Sequence, residues 1–497
     1  MEQVPHGGVT RFPQKYELPI YTPEDLDKVH QSSLDILERA GISTNSDRLM
    51  KIMADNGQKV DFDKGRIYFD PQYVEDMVAL APREFTLGAR NPDNDLVIDG
   101  RYSYLSTDGC PAEFIDLESG ERRYSTKEDL RQLGVLADYL PEIGFLFISI
   151  SANDKPVAVR PLHETHALFP ATAKHIMQMT AYDNYNARAL VEMCEAIQGK
   201  EDLYERPIMS NFQCVISPLH WESGPVDSLE TFGKAGIPAG ICSMPLMAAT
   251  APASVAGTIT LANAEVLSGI VIQETLVPGA RTFYVQYASG IDMGSGSMNQ
   301  AWGGEELLME TAGPAMARRY NIPAVCSTMG TGAMTSDWHA AMQNTFSCMT
   351  SLLLPGDMLT GVGSYYNAGV YSLPAMVLDA EIMKIGKRWL DGVDFSDEQL
   401  AVDVVESVIS NQTGHFLGEE HTRTHMREFY RSDVLYTGTW EQWELDGKPG
   451  PMQAAEAIVK DVLANYEALP MDEDVAKELD AIMDRYETEA EEEYGQD

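Results

Sequence analysis

Positive charge is what this chain has least of. Its 497 residues include 36 Lys and Arg against 76 Asp and Glu, a formal charge of −40. Phosphate backbones and anionic lipids are held by Lys and Arg, so the balance argues against nucleic acid and membrane as partners. A solvated acidic surface is the plain reading, suited to a salt-rich cytoplasm or to docking a basic partner. Cysteine is scarce too: six, at 110, 194, 214, 242, 326 and 348, none in a CxxC pair. Several lie in apolar strand-like runs, which fits buried, reduced thiols better than disulfides or a zinc site. No run reaches the about 18 uninterrupted apolar residues of a bilayer span, and MEQVPHGGVTRF has no apolar signal region. The expectation is a soluble, cytoplasmic protein.

Signature motifs are missing as well. There is no GxGxxG turn after the first strand, no GxSxG elbow and no HExxH. The glycine-rich GIDMGSGS (290–297) and GTG (330–332) lack the Lys-Ser/Thr of a phosphate loop. HETH (163–166) falls after the second strand, where it would face the candidate mouth of a barrel, and HTRTH (421–425) falls outside such a barrel. Both have near-ligand spacing, but a structural role outweighs a metal site for each. Ser106, Thr107, Ser151 and Ser243 stand at strand ends without a companion His and Asp at telling spacing. No metal is expected.

What is present is a rhythm. Apolar runs alternate with helical stretches: IPAGICSMPLM, RTFYVQY, PAVCSTMG and DMLTGVGSYY, each followed by a helix. Earlier come YSYLST, GFLFISI, KHIMQMT and PIMSNFQCVISPL. Runs buried on both faces and joined through helices read as parallel strands. Eight such units in about 290 residues match a (β/α)8 barrel; a doubly wound open sheet is the second choice. Residues 1–100 read as a mixed α/β extension, with Thr22 capping a helix that begins at Pro23 and ends before Gly41. Residues 101–395 form the barrel. Residues 396–497 form a helical extension: SDEQ (396–399) opens a helix, and the tail from Met471 holds twelve acidic and two basic residues, read as a solvated helix.

In a barrel the strand-to-helix end is the reactive one. The connection GTGAMTSDWHAAMQNTF puts Asp337, Trp338, His339 and Phe346 near it. Tyr104, Asn211, Gln213, Met244, Met247, Tyr284, Tyr287, Trp302, Tyr365 and Tyr366 are the other candidates for the mouth. Aromatic faces carry negative potential, so several converging on one point suit a quaternary ammonium.

Several blocks resemble the trimethylamine methyltransferase family: GIPAGICSMPLMAATAPASVAGTITLANAEVLSGIVI, NIPAVCSTMGTGAMTSDWHAAMQ, LLPGDMLTGVGSYYNAGVYS, VLDAEIM and GHFLGEEHT. The likeness runs from about Glu24 to the final helix. It implies a (β/α)8 barrel that moves a methyl group from a methylamine to the Co(I) of a separate corrinoid protein. Founding members carry pyrrolysine; this chain reads through with standard residues, like the branch that demethylates quaternary amines such as glycine betaine. The resemblance makes Tyr104, Tyr287, Trp302, Trp338 and Phe346 candidate cage members. It makes Asn211, Gln213, Tyr365 and His339 candidates for the substrate's polar end, with His339 and Asp337 nearest the chemistry. No cofactor would be held by the chain itself, since the corrinoid (cobalamin) stays on the partner, and the chain would be a homo-oligomer. A quaternary-amine sensor, or a methyltransferase using tetrahydropterin directly, are the alternatives.

Overall fold

The computed structural model describes residues 4–109, 111–179, 181–299, 303–412 and 414–494. Eight parallel strands form its centre: β1 (Tyr102–Thr107), β2 (Ile143–Phe147), β3 (His175–Gln178), β4 (Met209–Cys214), β5 (Ala239–Ser243), β6 (Thr282–Gln286), β7 (Ala324–Ser327) and β8 (Met358–Val362). Each pairs with the next, and β8 pairs back onto β1 with Met358 beside Tyr104 and Leu359 beside Leu105. The sheet is therefore closed, as the rhythm of the sequence requires. The principal helices after each strand are α1 (Lys127–Tyr139), α2 (Arg160–Ala171), α3 (Asn184–Gln198), α4 (Ser223–Lys234), α5 (Val255–Leu276), α6 (Gly304–Tyr320), α7 (Trp338–Leu353) and α8 (Leu373–Asp391).

Side chains alternate across each strand. One set fills the barrel: Tyr104, Phe145, Met177, Phe212, Phe283, Val325 and Met358 pack together in its interior. The other set points to the helices, as Leu105, Leu146, Ile176 and Met209 do. Burying each large apolar side chain contributes about 1.5–3 kcal/mol. The barrel has one closed end. Phe85–Leu87 and Leu96–Ile98 pair as a hairpin and join the interior cluster at the N-terminal ends of the strands. The extension before it opens on the helix Pro23–Arg39, whose Thr22 cap and Asp25 form a reciprocal capping box.

Helix α5 is long and apolar enough to cross a bilayer, yet most of it is buried in the barrel wall. The C-terminal extension differs from its expectation in two places. The helix opened by Ser396 breaks at Ala401, which adopts a φ of +51°, and resumes at Val402–Ser410. The acidic helix Glu473–Tyr494 is not simply solvated: Leu479, Ile482, Met483 and Tyr486 are buried in the core shared with α2 and α3. That contact also corrects the expected position of HETH. His163 and His166 lie on α2, on the barrel's outside, facing Glu487 at 2.5 Å and Asp480 at 2.9 Å of that last helix.

One buried cation ties the wall together. Lys174 is 2% exposed, and its ammonium donates to the carbonyls of Ala137, Leu140 and Ile143 at 2.9, 2.8 and 2.7 Å. It thus holds the end of α1 to the start of β2, and burial lowers its pKa to about 8. Lys174→Met removes a donor from each of three buried carbonyls, and urea denaturation should show a loss of about 3–5 kcal/mol.

Candidate active site

The interior stack rises toward the open end through aromatic rings. Phe212 lies 4.8 Å from Phe147 and 6.4 Å from Tyr287, ring centre to ring centre, the latter pair nearly parallel. The Tyr287 hydroxyl crosses the barrel to the Thr360 hydroxyl on β8 at 2.5 Å. Burial pushes the Tyr287 phenol well above its usual range, so it stays protonated. These groups form the floor of the mouth.

At the edge of that floor stands Asp108, the residue after β1. Its backbone N–H bonds the Val362 carbonyl at 3.0 Å, which extends the β1–β8 pairing by one step. Its side chain is buried; Oδ1 accepts from the Gly109 N–H at 2.8 Å, while Oδ2 has no hydrogen-bond partner. Tyr287 and Tyr371 are both within electrostatic reach of it. Burial pushes its pKa up to about 6, against the pull of the neighbouring Ser364 hydroxyl and the Gly109 N–H. A carboxylate kept nearly dry with an unpaired oxygen is costly, and it is the natural counter-ion for a cation that sheds its own water.

Glycine makes this crowding possible. A Cβ on Gly109 would lie 2.0 Å from the Phe147 ring. At Gly363, φ is +93° and a Cβ would fall 2.5 Å from the Tyr371 ring, so only glycine lets that ring close over the strand end. The turn is fixed from behind by Asp379, which accepts from Gly363 N–H at 2.9 Å and Asn344 Nδ2 at 2.8 Å. Burial raises the Asp379 pKa to about 7. Loops build the rim. Ser364–Tyr365, Val370–Tyr371, Glu113–Ile115 and Arg122–Tyr124 form one small sheet; Leu246–Met247, Ser289–Ile291 and Met298–Asn299 form another.

The candidates named from the sequence scatter over this frame. Tyr287 is on the floor. His339 and Trp338 are exposed at the start of α7, and Tyr365 is buried in the rim sheet within electrostatic reach of Asp337. Asp337 caps α7, accepting from the N–H groups of His339 at 2.8 Å and Ala340 at 3.4 Å, which is a positioning role. Phe346 lies two turns down the outer face of α7, 65% exposed and away from the mouth. Tyr104 lies in the first half of its strand, toward the closed end, its hydroxyl on the Val97 carbonyl at 3.2 Å. Asn211 and Gln213 flank the inward Phe212 and so face outward: Asn211 Nδ2 donates to the Pro238 carbonyl at 2.9 Å, and Gln213 Nε2 to the Ala181 carbonyl at 3.0 Å. Tyr284 faces outward too, bonded to Asn263 Oδ1 at 3.0 Å. Trp302 lies outside the described residues. Asp108 was missed because Asp-Gly reads as a turn; the charged residue closing the run YSYLST was its signal.

Two open clefts of about 490 and 640 Å3 lie elsewhere. The first is lined by Gly7, Asn94 and Asp138, whose carboxylate is already taken by Thr172, Ala173 and Tyr466. The second is lined by five residues of one helix and its end, Ser32 to Ala40. Neither joins aromatic faces to an unpaired charge. Among the described residues no group of three or more His, Cys, Asp or Glu could hold a metal ion.

The sequence profile described as trimethylamine methyltransferase (MTTB) matches residues 8–491. The chain belongs to that family. A trimethylamine methyltransferase MttB from Desulfitobacterium hafniense (strain DSM 10664 / DCB-2) is 30% identical over 492 residues, covering 98% of this chain and 97% of the relative. A glycine betaine methyltransferase from Desulfitobacterium hafniense (strain Y51) is 30% identical over 473 residues, covering 93% and 96%. Among solved structures, the hydroxylamine MtmB complex superposes with a TM-score of 0.53 at 12% identity, over 93% of this chain and 91% of that one, a likeness of fold. This trimethylamine methyltransferase family member is thus an enzyme, a methyltransferase built on a (β/α)8 barrel.

Asp108 sets a testable balance in this methyltransferase. The unfolded chain releases its proton near the ordinary carboxylate value, the folded chain only near pH 6. Charging it therefore destabilises the fold, fully above about pH 6 and not at all below the ordinary value. Asp108→Asn should stabilise the protein by about 2–3 kcal/mol at pH 8 and by much less at pH 5, read from urea midpoints.

Proposed function

We propose that this methyltransferase takes a methyl group from a quaternary ammonium compound of the glycine betaine kind and passes it to the Co(I) of a separate corrinoid protein. That partner docks at the barrel mouth. The observation that carries the reading is Asp108, a buried carboxylate with an unpaired oxygen, within electrostatic reach of Tyr287 and Tyr371. A methylated ammonium placed there gains a counter-ion and aromatic faces together.

The chain's own part is binding, orientation and exclusion of water. The Co(I) supplies the nucleophile. The carbon–nitrogen bond breaks with its electron pair staying on nitrogen, so the amine leaves neutral and needs no proton. Asp108 holds the cationic ground state, and the Phe147, Phe212 and Tyr287 floor keeps water from the reacting methyl. The protonated Tyr287 phenol stays bound to Thr360 and offers no competing nucleophile.

The substrate's far end is constrained by what the loops carry. The loops after β3 to β8 (179–183, 215–222, 244–254, 287–303, 328–337 and 363–372) contain no Lys or Arg. Apart from His339, which opens α7, their one group able to turn positive is His220, already bonded to Ser43 at 2.9 Å. The loops after β1 and β2 do carry Arg122, Arg123 and Lys155, but these are already paired with Glu113, Asp116, Asp129 and Asp154, which leaves a betaine carboxylate to His339 at the rim.

The direct assay mixes the protein with chemically reduced cobalamin and glycine betaine, proline betaine, carnitine, choline or trimethylamine, and follows methylcobalamin by its visible spectrum. Product from a quaternary amine supports the reading; no binding of any of them sinks it. Asp108→Asn should lower kcat/KM for every cation by roughly 10–100-fold. His339→Ala should raise KM for the carboxylated compounds alone and leave choline unchanged. In the wild type kcat/KM should fall as pH drops through about 6, where Asp108 takes up its proton.

A further inference from the structure

The stretch between α8 and the helix Pro451–Asn465 has no core. Of its described residues from 392 to 450, only Val408 and Val434 are buried. Fourteen large apolar side chains there are at least 39% exposed, among them Phe395, Ile409, Leu417, Phe429, Trp440 and Leu445. Leu417 and Leu445 are 82% and 81% exposed, as open as side chains in an unfolded chain. Polar ties hold this arm to α8: Lys384 Nζ to Asp433 at 2.9 Å, Arg388 Nη1 to the Gly392 carbonyl at 2.9 Å, and the Tyr430 hydroxyl donating to Glu381. Together the fourteen side chains expose on the order of 1,500 Å2, against about 800 Å2 per partner for a standard stable interface. That much apolar exposure, concentrated in one stretch of chain, is more than a folded monomer ordinarily leaves to water.

We propose that residues 392–450 form the main contact between two copies of this chain. The amount of apolar surface calls for a permanent cover, whereas a methyl acceptor arrives and departs with every turnover. The arm is also rooted at the wrong end for the acceptor. Helix α8 runs from the mouth to the closed end, where Lys15 Nζ bonds the Leu390 carbonyl at 2.6 Å and Tyr16 packs on Trp389. A second copy is the occupant present in equal number from synthesis onward. The chain offers that copy a seat. Helix α7, packed beside α8, exposes Trp338, Met342 and Phe346 four residues apart, and no Lys, Arg, Asp or Glu occurs from 338 to 356. Each copy thus presents an arm and a stripe for the other's arm, which lets a two-fold exchange close on itself. Two bodies of charge −40 repel, so the contact strengthens with salt. The inference does not depend on which amine, or which acceptor, the enzyme uses.

Sedimentation velocity of the full-length protein at micromolar concentration, in 0.05 and 0.5 M salt on the scale of about one Debye length and less, reads the mass. A species of at least twice 54.9 kDa, favoured by salt, is expected. The double variant Leu417→Asp, Phe429→Asp should run at the mass of one chain with an unchanged circular dichroism spectrum. A photo-crosslinking residue at position 429, in a mixture of ordinary and nitrogen-15 protein, gives an independent readout should that variant misfold. Crosslinked peptides joining light and heavy chains are expected. A single-chain mass at both salts, or crosslinks only within one chain, overturns the proposal and leaves the arm to a different protein.

Discussion

The return of β8 onto β1 is the contact on which everything else depends. While the sheet is open, Tyr104 and Met358 are on opposite edges; once it closes they are neighbours. Closure also brings Asp108 onto the Val362 carbonyl and sets its carboxylate within electrostatic reach of Tyr287, more than 170 positions away in the chain. The glycines of β8 are the cost of that closeness. Gly361 would carry a Cβ 1.8 Å from the Thr328 carbonyl, and Gly363 one 2.5 Å from the Tyr371 ring. Side chains have been removed at the strand end so that rings and a buried charge can meet there.

That meeting place works against the fold's own stability. Asp108 and Asp379 are carboxylates whose burial favours the neutral form, and both sit around the Gly361–Gly363 turn. Asp379 is compensated by two donors, Asn344 and Gly363, and acts as a brace. Asp108 keeps an oxygen unpaired. Of two similar residues a short distance apart, one is satisfied by the protein and the other keeps a bare oxygen.

The eight strands were legible because parallel strands covered on both faces are apolar throughout, and because a helix must follow each. The phase of each strand was not. Asn211, Phe212 and Gln213 are consecutive, and nothing local says that Phe212 takes the interior; that follows from how β4 is staggered against β3 and β5. Height in the barrel was equally hidden: Tyr104 and Tyr287 are both aromatic and inward, but one lies in the first half of its strand and the other just past the end of one. His163 and His166 looked like mouth residues because the strand before them ends at the mouth, whereas α2 carries them out to the last helix. The arm from 392 to 450 read as ordinary helix because amphipathic patterning shows that a face is apolar, not whether anything covers it.

The hairpin Phe85–Leu87 with Leu96–Ile98 fills the lower end of the barrel. A tube sealed at one end has a single doorway. Whatever rests on the Phe212 and Tyr287 floor entered through the rim loops and must leave through them. A bulky protein seated on that rim blocks the doorway for as long as it stays. Two reactants that share such an entrance cannot pass each other, so the small one goes in first and comes out last. With the proposed protein acceptor on the rim, that entrance would impose a compulsory order of binding and release, with no moving part required to enforce it.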